Sequence, residues 1–164
     1  KVADFFPLLG THTSYKENNV ILSKPNLIDI SQATHINCDF TNQPDLAQTL
    51  VVACALQNTT FHFSGLQSLK IKETDRIAAL IKEMRKLGYV LYEKDGSTLY
   101  WNGERCERSH EAIDTYEDHR MAMAFAPVCL VMDDICINNP EVVSKSYPHY
   151  WDDLRAAGFI IEEK

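Results

Sequence analysis

Residues 70–77 place three cations and two carboxylates between an apolar run and a segment with helical periodicity. If a helix begins near Glu73, Lys72 lies at its entrance and Arg76 about one turn in, on the same side. Both could bind one anion, helped by the helix dipole and by the paired hydrogen bonds that arginine gives to phosphate or carboxylate. The alternative is a solvated first turn, in which Glu73 and Asp75 offset the dipole and pair with these cations.

A second charged group leads directly into an apolar segment. Residues 117–120 (Glu-Asp-His-Arg) precede residues 121–132, which are apolar on nearly every side, as in a buried helix. Arg120 would be a strong anion ligand there; alternatively, Asp118 caps the helix and pairs with Arg120. His119 is ambiguous, and no second histidine lies at metal-ligand spacing, so the sequence predicts no metal site.

Two further residues are candidates by position. Pro44-Asp45 opens another apolar helix, where the carboxylate is either a base facing the same pocket as Arg120 or only an acid that satisfies the helix dipole. Lys145 is either a plain surface lysine or a second anion ligand equivalent to Lys72.

The hydrophobic periodicity predicts an α/β chain. Helices are expected at 2–9, 44–57, 73–87, 119–132 and 147–157, and strands at 13–16, 19–22, 26–30, 36–38, 59–64, 89–92, 98–101, 111–114, 135–138 and 159–161. Pro127 should kink or end the fourth helix. The elements repeat as strand–helix–strand–helix–two strands at intervals of about 75 residues. The repeat makes Lys72 equivalent to Lys145 and Asp45 equivalent to Arg120, which suggests one pocket ringed by equivalent loops.

The composition limits the kinds of protein to which the chain can belong. The 164 residues, 45% hydrophobic and 24% charged, are typical of one globular domain. A net charge of −7 argues against nucleic-acid binding, and no apolar run approaches the roughly 20 residues of a membrane span. The five cysteines form no CxxC pair, which favours buried free thiols in a reducing cytoplasm. Because the first residue is Lys1, we expect the sequence to be an excerpt of a longer protein.

Two motifs together carry a resemblance to a known family. Residues 72–77 (Lys-Glu-Thr-Asp-Arg-Ile) and 115–123 (Thr-Tyr-Glu-Asp-His-Arg-Met-Ala-Met) resemble the 3-phosphoshikimate 1-carboxyvinyltransferase (EPSP synthase) family. Pro44-Asp45 and residues 145–148 (Lys-Ser-Tyr-Pro) follow the family pattern in order and spacing. One departure is Ser68, because many members have there an asparagine that helps to hold phosphoshikimate.

The resemblance implies an inside-out α/β barrel, with buried helices and outer sheets, built from βαβαββ units. Residues 1–164 would form a single domain, the C-terminal part of a two-domain enzyme whose N-terminal domain is absent from this chain. Residues 1–34 would end one unit, 35–101 would form the second and 111–161 the third. In this family the active site lies between the two domains.

The implied reaction joins the enolpyruvyl group of phosphoenolpyruvate to the 5-hydroxyl of 3-phosphoshikimate and releases phosphate, on the route to chorismate and the aromatic amino acids. It implies no cofactor and no metal, a monomeric parent and a cytoplasmic location. The roles carried over by motif position are catalysis by Asp45, Lys72, Glu73 and His119, phosphoenolpyruvate binding by Arg76, Arg120 and Lys145, and 3-phosphoshikimate binding by Asp45 and Lys72.

Other functions remain open at this point. The 164-residue chain is expected to be inactive alone, because further substrate-binding residues would belong to the missing domain. A non-catalytic anion-binding domain would fold alone and bind anions weakly. A pure scaffold domain would instead leave Lys72, Arg76, Arg120 and Lys145 on unrelated faces.

Overall fold

The computed structural model describes residues 2–24, 35–72 and 74–163, so the strand expected at 26–30 lies outside the described residues. The α-helices are α1 Val2–Phe5, α2 Ala47–Leu56, α3 Arg76–Lys86, α4 His119–Phe125 and α5 Tyr150–Ala156. Short 3-10 helices cover Phe6–Leu9, Pro44–Leu46, Gln67–Ile71, Ala126–Leu130 and Pro140–Lys145. The strands are β1 His12–Lys16, β2 Asn19–Ser23, β3 Ile36–Asp39, β4 Phe61–Ser64, β5 Tyr92–Lys94 and β6 Thr98–Trp101.

Two sheets organise these elements. Strands β1 and β2, expected at 13–16 and 19–22, form an antiparallel hairpin. A four-stranded sheet has the order β3-β4-β6-β5. In that sheet β3 and β4 run parallel, with Ile36 opposite Phe61, and the other pairs are antiparallel. Helix α2 connects the two parallel strands. The fold is therefore α/β, with the expected strand–helix–strand–helix–two strands from β3 to β6.

Helix α2 is buried on nearly every side because eight of its ten residues are Ala, Val, Leu or Cys. Its buried residues are Ala47, Gln48, Leu50, Val51, Val52, Cys54 and Ala55. It packs against α4 and lies over β4, whose Phe61 and Phe63 rings stack at 4.5 Å between centroids. Burial of this helix fixes the direction of the Pro44–Leu46 turn in front of it, and with it Asp45.

The last part of the chain repeats this arrangement in reduced form. The strands expected at 111–114 and 135–138 are wrong as strands: they are reduced to one parallel bridge between Ile113 and Ile137. Helix α4 lies between them, and it gives way to a 3-10 turn at Pro127, as expected. Residues 159–161 form no strand either, and Ile160 is 91% exposed.

Several boundaries differ from the sequence prediction, among them the starts of α3, α5 and β5. Helix α3 begins at Arg76 rather than 73, because the Asp75 carboxylate caps it by accepting from the backbone N–H groups of residues 77 and 78. Helix α5 begins at Tyr150 rather than 147, since Pro148 disfavours helical backbone at the residue before it. Strand β5 spans Tyr92–Lys94 rather than 89–92, and the Asp95-Gly96 turn that joins it to β6 is left-handed at both residues, as is usual for this pair of residues in a tight hairpin.

All five cysteines are free, as predicted, but only Cys54 is buried. Burial raises the pKa of the Cys54 thiol to about 12. Cys136 is exposed and the other three lie between these extremes, so the expected burial is wrong for most of them. Within the described ranges, no helix is long and apolar enough to cross a membrane.

Gly65, which follows β4, gives a stability prediction. A Cβ there would lie 2.4 Å from both the Asp39 carboxylate and the Thr41 backbone nitrogen, at a φ of +75°. Gly65→Ala should therefore lower the free energy of unfolding by about 2–4 kcal/mol, from left-handed strain plus overpacking. Urea denaturation measures this loss.

Gly10→Ala is the matched control, because Gly10 has a φ of +78° and a Cβ added there would meet only open space. Its free energy of unfolding should fall by only about 1–2 kcal/mol, from left-handed strain alone. Equal losses in the two variants would show that the Asp39–Thr41 turn does not restrict the space at Gly65.

Candidate active site

Asp45 is the point on which three cations converge. Its Oδ1 lies 2.8 Å from Arg76 Nη1 and 3.6 Å from Lys72 Nζ. Its Oδ2 lies 3.2 Å from Arg120 Nη2, while Arg120 Nη1 donates to the Asp45 backbone carbonyl at 3.2 Å. The three cations come from the end of the 67–71 turn, from α3 and from α4. The convergence contradicts the scaffold alternative for these three residues.

A buried ion pair lies behind this cluster. Arg76 Nε donates to Asp118 Oδ2 at 2.5 Å, and the two side chains are 2% and 0% exposed. The other oxygen of Asp118 accepts from the Arg120 backbone N–H at 2.8 Å and so caps α4. The capping interpretation of Asp118 is confirmed, but its ionic partner is Arg76 rather than the Arg120 side chain. A solvated first turn is wrong for Arg76.

The cluster is partly exposed to solvent. The side chains of Lys72, Arg120 and Asp45 are 34%, 36% and 38% exposed, whereas Arg76 and Asp118 are closed off. Among these five side chains, three cations face two carboxylates. The excess positive charge, with a partly exposed lysine and a partly exposed arginine fork, suits a phosphate or carboxylate group.

Among the residues that the structure describes, the predicted site residues Lys145 and His119 do not join these contacts. Lys145 ends the 3-10 turn that packs on α4, and its side chain is exposed. It is not among the described ion-pair partners of Asp45. His119 is the half-buried first residue of α4, beside Arg120, and Ser68 is half-buried in the 67–71 turn. Glu73 lies outside the described residues.

A second polar network, which the sequence analysis missed, joins α3 to residues 112–118. Glu83, with a side chain that is 0% exposed, lies 2.7 Å from Lys86 Nζ and accepts from the Tyr116 hydroxyl at 2.5 Å. Lys86 also reaches Asp114 Oδ2 at 3.0 Å, and Asn138 donates to Asp114 Oδ1 at 2.8 Å. Burial and the Glu83 carboxylate raise the pKa of Tyr116, while Asn138 and Lys86 lower the pKa of Asp114.

One signal in the sequence points to this network. Glu83 follows Leu80 by three positions and precedes Leu87 by four, so it lies on the apolar face of α3. A carboxylate on a buried face needs charged or hydrogen-bonding partners. Its partners in residues 114–116 cannot be predicted from the sequence, because local patterns do not show which distant segments are in contact.

The buried pair gives the second stability prediction. Asp118→Asn should keep the cap of α4 but should lower the free energy of unfolding by about 2–3 kcal/mol, because a buried guanidinium then faces a neutral amide. Asp75→Asn is the control, since Asp75 caps α3 in the same way and has a smaller electrostatic role, worth about 1 kcal/mol or less. Urea denaturation of both variants measures the difference, and equal losses would show that the Arg76–Asp118 contact contributes nothing beyond capping.

Comparison with known proteins agrees with the motifs. The family model described as EPSP synthase (3-phosphoshikimate 1-carboxyvinyltransferase) matches residues 3–154. A 3-phosphoshikimate 1-carboxyvinyltransferase of Bacteroides fragilis is 55% identical over 161 residues, which is 98% of this chain and 38% of that protein. Enzymes of the same name from Aliivibrio fischeri and Burkholderia lata are 35% and 40% identical over 93% and 74% of the chain, covering 34% and 28% of the relatives.

The chain thus spans between 28% and 38% of the length of these curated relatives. The family model nevertheless covers most of the chain, including every motif on which the site is built. On this evidence the chain belongs to the EPSP synthase (3-phosphoshikimate 1-carboxyvinyltransferase) family.

Proposed function

We propose that a longer protein containing this chain transfers the enolpyruvyl group of phosphoenolpyruvate to the 5-hydroxyl of 3-phosphoshikimate and releases phosphate. The observation that carries the proposal is the convergence of Lys72, Arg76 and Arg120 on Asp45. It supports an anion site because three separate segments bring more positive than negative charge to one partly exposed place. The family relationship supplies the identity of the anions.

Asp45 is the internal counter-ion of this site. Phosphoenolpyruvate brings a phosphate and a carboxylate, and Lys72 and Arg120 are exposed enough to turn towards them. Arg76 stays fixed by Asp118. Once the substrate takes over these cations, the Asp45 carboxylate is free to accept a hydrogen bond from the hydroxyl of 3-phosphoshikimate.

The chemistry then needs a proton donor and a proton acceptor. A proton is added to the methylene carbon of phosphoenolpyruvate, and the central carbon becomes electrophilic. The 5-hydroxyl oxygen forms a bond to that carbon while its proton passes to Asp45. Loss of a proton from the new methyl group and cleavage of the bond to phosphate restore the double bond. The cations stabilise the negative charge on the departing phosphate.

The remaining roles follow from the motif positions. Glu73 is proposed to exchange the proton at the methylene carbon, next to Lys72, which contacts both the reacting hydroxyl and phosphoenolpyruvate. His119 lines the site from the start of α4. Lys145 is proposed to reach phosphoenolpyruvate only in the complete enzyme, since it is exposed and apart from the Asp45 contacts in this chain.

We propose the inside-out barrel as the architecture, with units at 1–34, 35–101 and 111–161 and a separate N-terminal domain facing the site. Two observations support it. Helix α2 is buried on nearly all sides, as is most of α4. In sequence, α2 lies between the parallel strands β3 and β4, and α4 lies between the two segments joined by the parallel Ile113–Ile137 bridge.

Free cysteines support a cytoplasmic location. The complete protein is proposed to be a monomer.

The activity prediction concerns Lys72. In the complete protein, Lys72→Ala should lower kcat by about a hundredfold or more, because a cation next to the departing phosphate is lost. Its stability should change by less than about 1 kcal/mol, since a partly exposed ion pair contributes little. Phosphate release with both substrates measures the rate.

Lys70→Ala is the matched control, because Lys70 is two residues away, is 35% exposed and pairs instead with Glu93 at 2.5 Å. It should retain nearly full activity. Similar turnover in the two variants would contradict the role of Lys72. The 164-residue chain alone should release no phosphate above background, because the facing domain is needed to complete the site.

A further inference from the structure

Two consecutive residues just before α4 adopt a left-handed backbone conformation, which is unfavourable for residues other than glycine. Tyr116 and Glu117 have φ values of 54° and 56°, and the turn is closed by the Asp118 N–H donating to the Thr115 carbonyl at 2.9 Å. A left-handed turn built from two non-glycine residues persists only where surrounding contacts hold it. The contacts on both sides of the turn are therefore informative.

The Tyr116 side chain supplies the strongest of these contacts. Its hydroxyl donates to Glu83 Oε1 at 2.5 Å, and the Lys82 ammonium lies 5.6 Å from the centre of its ring. Glu83 is itself fixed, because its other oxygen lies 2.7 Å from Lys86 Nζ and accepts from the Asp114 N–H at 3.1 Å. The turn is thus tied to the middle of α3, about two helical turns beyond Arg76.

The residue that follows the turn is Asp118, whose two oxygens hold the two active-site arginines differently. One oxygen accepts from the Arg76 guanidinium, and the other accepts from the backbone N–H of Arg120. Both arginines then contact Asp45. The position of Asp118 therefore determines where the Arg76 guanidinium lies. It also determines the position of the first turn of α4, from which the Arg120 side chain extends.

We propose that Tyr116 and Glu83 are positioning residues for the anion site: their hydrogen bond holds the strained 116–117 turn, and through Asp118 it orients Arg76 and Arg120 towards the substrate. The proposal rests on the proposed function, since it takes phosphoenolpyruvate as the anion. It assigns no substrate contact to either residue.

The test separates positioning from stability with four variants of the 164-residue chain. Tyr116→Phe should bind phosphoenolpyruvate roughly tenfold more weakly in an NMR titration, and its Tm should fall. Glu117→Gly should raise Tm, because glycine accepts the left-handed conformation, and should leave the hydrogen bond and the affinity unchanged. Tyr116→Phe/Glu117→Gly should regain Tm, because the strain is relieved, but should remain weak in binding, because no hydrogen bond then ties the flexible turn to α3. Tyr92→Phe is the control, as Tyr92 also donates to a carboxylate, that of Glu104, at a distant hairpin.

Recovery of affinity together with Tm in the double variant would overturn the proposal, as would unchanged affinity in Tyr116→Phe. If the wild-type chain alone binds no phosphoenolpyruvate, the facing domain is needed for binding, and a second readout decides the positioning role. Hydrogen exchange at the Arg76 Nε–Hε group should then be faster in the double variant than in Glu117→Gly. Equal exchange rates would overturn the positioning role.

Discussion

The buried ion pair between Arg76 and Asp118 is the interaction on which the site depends. Both side chains are almost completely removed from water, so each would be strongly destabilising without the other. The pair joins the start of α3 to the start of α4, two segments 42 residues apart in sequence. Because Arg76 also contacts Asp45, the same pair fixes the approach to α2. One buried contact thereby sets the relative positions of three helix starts.

This arrangement explains how an acidic chain can present a cationic site. The net charge is −7, yet the contacts around Asp45 come from helices whose apolar faces are packed together. Packing of α2 against α4 brings Asp45 and Arg120 into contact, and the cap at Asp118 directs the first turn of α4. The polar network at Glu83 adds a second tie between α3 and the 112–118 segment. The cations are held by the fold rather than by overall charge.

The sequence predicted what local patterns encode and missed what depends on distant pairing. Apolar periodicity and the repeat predicted α2, α3 and one pocket for Lys72, Arg76, Arg120 and Lys145. The first three converge on Asp45, whereas Lys145 is not among its described partners. The cap at Asp75 and the proline at 148 moved two helix starts by about three residues, since propensity alone does not position a cap. The partner of Asp118 was misassigned because local spacing favoured Arg120, while packing placed Arg76 against it. The strands near Ile113 and Ile137 were predicted too long, as strand length depends on neighbours that periodicity does not reveal.

Lys72, Arg76 and Arg120 are proposed to bind a substrate anion. Asp45 is their counter-ion in this chain, and the anion replaces it. The most direct measurement is the affinity of phosphoenolpyruvate for the wild-type chain and for Asp45→Asn at one ionic strength. Removal of the competing carboxylate should make the variant bind several-fold more tightly, because the same cations then attract the ligand alone. Equal or weaker binding by Asp45→Asn would contradict the account.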